Sequence, residues 1–81
     1  MCFYPNPVQS GKELTLRLAK DNSSAAILGI YDLLGREVYS TIVRTQEFEE
    51  VQIVLPEVVP GVYLVEFRQG LRKVVKRLVV K

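Results

Sequence analysis

Three features of the sequence predict an all-β fold, an immunoglobulin-like antiparallel β-sandwich of about seven short strands. Apolar residues recur at every second position in short runs, and turn residues separate those runs at spacings of about ten residues. Between these turns no segment is left for a helix. A small barrel is the alternative closure for such strands.

Leu14, Leu16 and Leu18 alternate with Thr15, Arg17 and Ala19, which sets the three leucines on one face of a half-buried strand. Over residues 25–32, Ala26, Leu28 and Ile30 share a side. Residues 37–43 are rich in Val38, Tyr39, Thr41, Ile42 and Val43, types that favour strands. Val51, Ile53 and Leu55 fall together in the next run, and Tyr63, Val65 and Phe67 stand opposite Glu66 and Arg68 in residues 62–68. In the last run, Lys73, Arg77 and Lys81 share a parity with Val75 and Val79, while Lys76 shares the other with Val74, Leu78 and Val80. One cation must therefore face the apolar side or sit at the sheet rim.

Turn residues punctuate the runs at Pro5 and Pro7, at residues 21–24, at Leu34 and Gly35, at Pro56, at Pro60 and Gly61, and at Gln69 and Gly70. Within residues 32–36 (AspLeuLeuGlyArg), Gly35 is suited to the positive φ of a tight hairpin with a bulge. In ProGlyValTyr, residues 60–63, the Tyr63 ring is expected to be buried. Its hydroxyl would bond back to the preceding connection, as in a tyrosine corner.

Composition narrows the function. With 81 residues, 48% hydrophobic and 25% charged, the chain suffices for one domain and not two. It has no histidine or tryptophan and a single cysteine, Cys2, so most residues of neutral-pH acid-base and metal chemistry are missing. There is no glycine-rich phosphate loop, no metal-ligand spacing and no serine with a histidine partner, so no enzyme, cofactor or metal is expected. Glu49 and Glu50 adjoin, but strand neighbours point to opposite faces and make no carboxylate pair. A lone thiol closes no internal disulfide.

The net charge of +2 is too small to imply nucleic acid or a membrane surface, and the cations lack the interleaved aromatics of a nucleic-acid groove. Six of the eleven basic residues, Arg68, Arg72, Lys73, Lys76, Arg77 and Lys81, lie in the last fourteen positions, while Glu47, Glu49, Glu50 and Glu57 make the middle acidic. The basic last run reads either as a charged edge strand that resists pairing or as a recognition strand that engages a protein by β-augmentation. No run approaches the roughly eighteen apolar residues of a membrane helix, and direct membrane insertion is not expected. Met1 opens without a charged region followed by an apolar stretch. The expectation is one domain over residues 1–81, and if the protein is exported its N-terminal signal lies on a longer precursor from which this domain was excised.

Three blocks stand in order: TyrProAsnProVal at residues 4–8 followed by Gly11, IleTyrAspLeuLeuGlyArgGluVal at residues 30–38, and ProGlyValTyrLeuVal at residues 60–65, with LysArgLeuValValLys at the end. Together they resemble the C-terminal sorting domain of the type IX secretion system, over nearly the whole chain. The resemblance implies an immunoglobulin-like sandwich at the C-terminus of secreted cargo proteins of Bacteroidetes. Such a domain is a non-catalytic signal that takes the folded cargo across the outer membrane to the cell surface. It implies as partners the protein components of the secretion and sortase machinery and a covalently fused upstream cargo. The resemblance further implies that a cell-surface sortase commonly cuts such domains from their cargo, attaching some cargoes to an anionic lipopolysaccharide while others are released.

By position, Tyr4, Pro5, Asn6 and Pro7 match the family's opening motif, Gly35 and Arg36 its central hairpin, and Gly61 and Tyr63 its GlyValTyr element. Lys76, Arg77, Leu78, Val79, Val80 and Lys81 match its terminal strand. In physical terms the prolines bar ladder pairing and fix an extended start, the glycines permit special φ, and the last strand presents a basic edge. The chain departs from the pattern at Val58 and Val59, where leucine is usual, and at Pro60, where a small residue is frequent. Removing residues 78–81 is expected to block export and leave the fold largely intact. A structural or carbohydrate-binding accessory sandwich of a secreted enzyme is the alternative, and an exposed aromatic platform would mark it.

Overall fold

Seven strands form among the residues that the computed structural model describes, 2–17, 25–43 and 50–81, with Cys2 described in its backbone alone. β1 (Cys2–Tyr4), β2 (Glu13–Arg17) and β5 (Glu50–Val54) make an antiparallel sheet in the order β1-β2-β5. β3 (Ala26–Tyr31), β4 (Glu37–Val43), β6 (Gly61–Gln69) and β7 (Arg72–Val80) make a second, in the order β4-β3-β6-β7. Two packed antiparallel sheets of three and four strands are an immunoglobulin-like sandwich rather than a barrel. Leu18, the turn at residues 21–24, Glu47 and Glu49 lie outside the described residues.

The period-two runs become the core. Leu14 and Leu16 of β2 and Ile53 of β5 face Ala26, Leu28 and Ile30 of β3 and Tyr63, Val65 and Phe67 of β6, all buried. Val8, Val43, Leu55, Leu78 and Val80 complete the cluster. Burial of one such leucine or valine stabilises the fold by about 1.5–3 kcal/mol relative to exposure, so the shared interior carries most of the driving force.

Local chemistry sets the connections. Between β3 and β4 the Gly35 amide donates to the Asp32 carbonyl at 3.0 Å and the Asp32 amide to the Arg36 carbonyl at 2.9 Å. Gly35 has a φ of 84°, so the loop is a turn closed by a glycine in the left-handed region, as its sequence predicts. The register then shifts between the pairs Ile30↔Tyr39 and Tyr31↔Glu37, leaving Val38 as an extra residue. Both Val38 and Tyr39 pack partly against the core. β6 and β7 are joined by Gly70 and Leu71 alone, with Gly70 at a φ of 58° in the first loop position that a type II′ turn assigns to glycine.

Candidate functional site

β7 is an edge strand, and its two faces divide the work. Leu78 and Val80 are buried and Val74 is half-buried against the core, so the even parity points inward. Lys73, Val75, Arg77 and Val79 point to the outer face. Lys76, on the inward parity, escapes burial at the rim, where it lines a groove of about 360 Å³ with Phe3, Asn6, Val75 and Arg77. The question left open by the sequence is thus answered at the sheet margin, beside Phe3 of β1.

The opening motif lies against the same strand. β1 ends at Tyr4, the chain bends through residues 5–7 with cis peptide bonds before Pro5 and Pro7, and Val8 forms a parallel bridge with Val80. The extended start expected from the prolines is therefore not what they provide: they stop the first strand, and the bend carries the chain from one sheet to the edge of the other. The Val8 amide donates to the Val79 carbonyl and the Lys81 amide to the Val8 carbonyl, both at 2.9 Å.

Asn6 extends this pairing one step upstream with its side chain. Its Nδ2 donates to the Arg77 carbonyl at 3.2 Å, and its Oδ1 accepts from the Val79 amide at 3.0 Å. The carboxamide has the donor and acceptor of a peptide unit, so between two prolines that carry no N–H it stands in for backbone. Tyr4, next to it, is exposed and donates through its hydroxyl to Glu50 Oε2 at 3.1 Å.

The remaining motif residues are architectural. The Tyr63 ring is buried and its hydroxyl donates to the Val59 carbonyl four residues earlier, closing the expected tyrosine corner. Gly61 departs from expectation: it starts β6 opposite Val80 without a positive φ, and a Cβ there would meet open space. At the hairpin, Asp32 Oδ1 accepts from the Leu34 and Arg36 amides at 2.9 Å each, and Oδ2 accepts from Arg36 Nε at 2.8 Å. The Arg36 amide, above all, holds the Asp32 carboxyl below its ordinary value, its partial burial opposing and the Arg36 guanidinium and Leu34 amide assisting. Asp32 was not singled out from sequence, although an aspartate opening a glycine turn is a signal for this kind of loop.

The burial of β7 corrects one expectation. Residues 78–81 include Leu78 and Val80, both core side chains, and Val79 and Lys81, which hold Asn6 and Val8. Removing them opens the core, so the fold is not left intact.

The aromatic residues do not gather into a platform among the described residues. Tyr63 and Phe67 are buried, and Phe3 and Tyr39 pack partly against the core. The Tyr31 ring lies over Gly29, where a Cβ would come within 2.8 Å of it. Only Tyr4 among the described aromatics is exposed.

The chain is thus a small antiparallel β-sandwich whose basic last strand is fastened by the first motif of the chain. Residues 2–81 match the family described as the secretion system C-terminal sorting domain, and the chain belongs to that family, the sorting domains of type IX secretion. Domains of this family are non-catalytic in general and imply a secreted or cell-surface protein that passes the outer membrane. No curated protein matches the chain.

Proposed function

We propose that residues 1–81 form a single sorting unit at the C-terminal end of an upstream cargo and direct that cargo to the cell surface by binding components of the type IX machinery. The observation that carries this reading is the family membership over residues 2–81. The arrangement of β7 supports a division of roles within the terminal strand. Arg77, Val79 and Lys81 offer an outward row of basic and apolar side chains, and Leu78 and Val80 hold that row in place from the core side. Lys76 adds a cation at the rim. Asn6 fastens the strand, Pro5 and Pro7 bend the chain toward it, and Tyr4 holds the start of that bend to Glu50 of β5. Gly35 and Arg36 shape the β3–β4 turn, Tyr63 closes the corner before β6, and Gly61 pairs with Val80 of the strand. After passage the sortase separates the domain from its cargo.

The test is a folded reporter carrying residues 1–81 at its C-terminus, expressed in cells with and without a working type IX system. Surface delivery that requires the system is the expected result. Periplasmic retention in both strains, with the domain folded, overturns the reading.

A further inference from the structure

The outer edge of β7 is covered over only part of its length. Arg77 O, Val79 N, Val79 O and Lys81 N are bonded to Asn6 and Val8. In an antiparallel ladder, alternate residues turn both main-chain groups the same way, so the groups of Lys73 and Val75 and the amide of Arg77 point outward along the same edge. Among the described residues nothing pairs with them. β7 is also better suited to accept a strand than the other edges. β1 has three residues and β5 five, and β4 begins at Glu37 and carries the Val38 bulge, a feature that blunts an edge.

We infer that the Lys73 to Arg77 edge of β7 receives an extended acidic segment of a partner protein by β-augmentation. Lys73 and Arg77 flank Val75 on the outer face, and Lys76 stands on the groove side. Lys73 Nζ lies 3.7 Å from Glu66 Oε2, the carboxylate whose other oxygen, Oε1, pairs with Arg68, and no carboxylate pairs with Lys76 or Arg77 among the described residues. An added strand with alternating acidic and apolar residues sets its carboxylates beside Lys73 and Arg77 and its apolar side chains in the groove next to Phe3. A second copy of this chain fits poorly, because antiparallel pairing about Val75 would put Lys73 opposite Arg77 of the other copy, like charge against like. This rests on the sorting reading for the partner's identity as secretion machinery, while the edge itself is tested without export.

The ¹⁵N-labelled chain is titrated with a synthetic peptide of about seven alternating glutamate and valine residues, and with the same peptide carrying lysine for glutamate. The amides of Lys73, Val75 and Arg77 shift and their hydrogen exchange slows by about tenfold or more with the acidic peptide alone. Val75→Pro removes an outward N–H without touching the β6 pairs and abolishes the effect. Should that variant unfold, the charge reversal Lys73→Glu with Arg77→Glu takes its place and transfers the preference to the lysine peptide. No protection at millimolar peptide, equal response to both peptides, protection mapping to β4 or β5, or protection that grows with protein concentration alone each overturns the inference. A reporter that is delivered equally well with Val75→Pro also overturns it and leaves the sorting reading standing, whereas a wild-type reporter that is never delivered strikes the sorting reading alone.

Discussion

Leu78 is fully buried in the strand that resembles a signal, so its loss should be felt first as loss of fold. Leu78→Ala removes a side chain that lies opposite Tyr63 and in the same cluster as Val8, Val65 and Val80. Full burial in a small core with little room to collapse places the cost within the usual 2–5 kcal/mol for such truncations, about 3–4 kcal/mol. A domain of this length has about 4–12 kcal/mol in total, at roughly 0.05–0.15 kcal/mol per residue. The substitution therefore removes about a quarter or more of the stability. At about 4–8 °C per kcal/mol the melting temperature falls by about 12–30 °C. Truncation after Arg77, which takes Val80 as well, falls at least as far. Circular dichroism of the variants against temperature and urea, beside surface delivery of the same fusions, separates the two roles. Outward substitutions such as Val79→Ser and Lys81→Gln should leave the melting temperature within a few degrees while lowering delivery. A Leu78→Ala domain that melts with the wild type would refute the assignment of the even parity to the core.

Two further outcomes follow from the side-chain bonds. Asn6→Ala removes two exposed hydrogen bonds at about 0.5–1.5 kcal/mol each, so it should lower stability by about 1–3 kcal/mol and speed exchange of the Val79 amide; Asn6→Asp keeps the oxygen that the amide needs and should leave Val79 protected. Unchanged Val79 exchange in Asn6→Ala contradicts the pairing. The Asp32 carboxyl is held below its ordinary value of 3.8, so the stability it gives is present above that pH and is lost as the pH falls below it. The gap in urea midpoint between wild type and Asp32→Asn should therefore be widest near neutrality and close on acidification below 3.8, and a gap independent of pH contradicts it.

Much of the sandwich was legible because its core residues are neighbours in parity within each strand. Ala26, Leu28 and Ile30, or Tyr63, Val65 and Phe67, announce their shared face within a few residues. β1 gave no such sign, since three residues are too few for alternation to register. The turn at residues 32–36 could be read from Gly35, and the Tyr63 corner from its position at the start of a strand. Asn6 was placed in the opening motif, but its task could not be read there: its partners are more than seventy positions away, and no local period links them. The orientation of β7 was likewise undecided, because each parity carries both valines and a cation. The opposite sheet decides it, by covering Leu78 and Val80 and leaving Lys76 at the margin.

The parallel run of residues 6–8 beside β7 also fixes how the domain bears force. A pull toward the N-terminus on residue 6 and toward the C-terminus on residue 81 acts along two parallel segments in opposite directions, so it slides one past the other instead of peeling them apart. The bonds from Asn6 Nδ2 to Arg77 O, from Val79 N to Asn6 Oδ1, from Val8 N to Val79 O and from Lys81 N to Val8 O then share the load and must yield together. A load that reaches residue 6 thus meets a shear clamp where the opening motif runs beside the last strand.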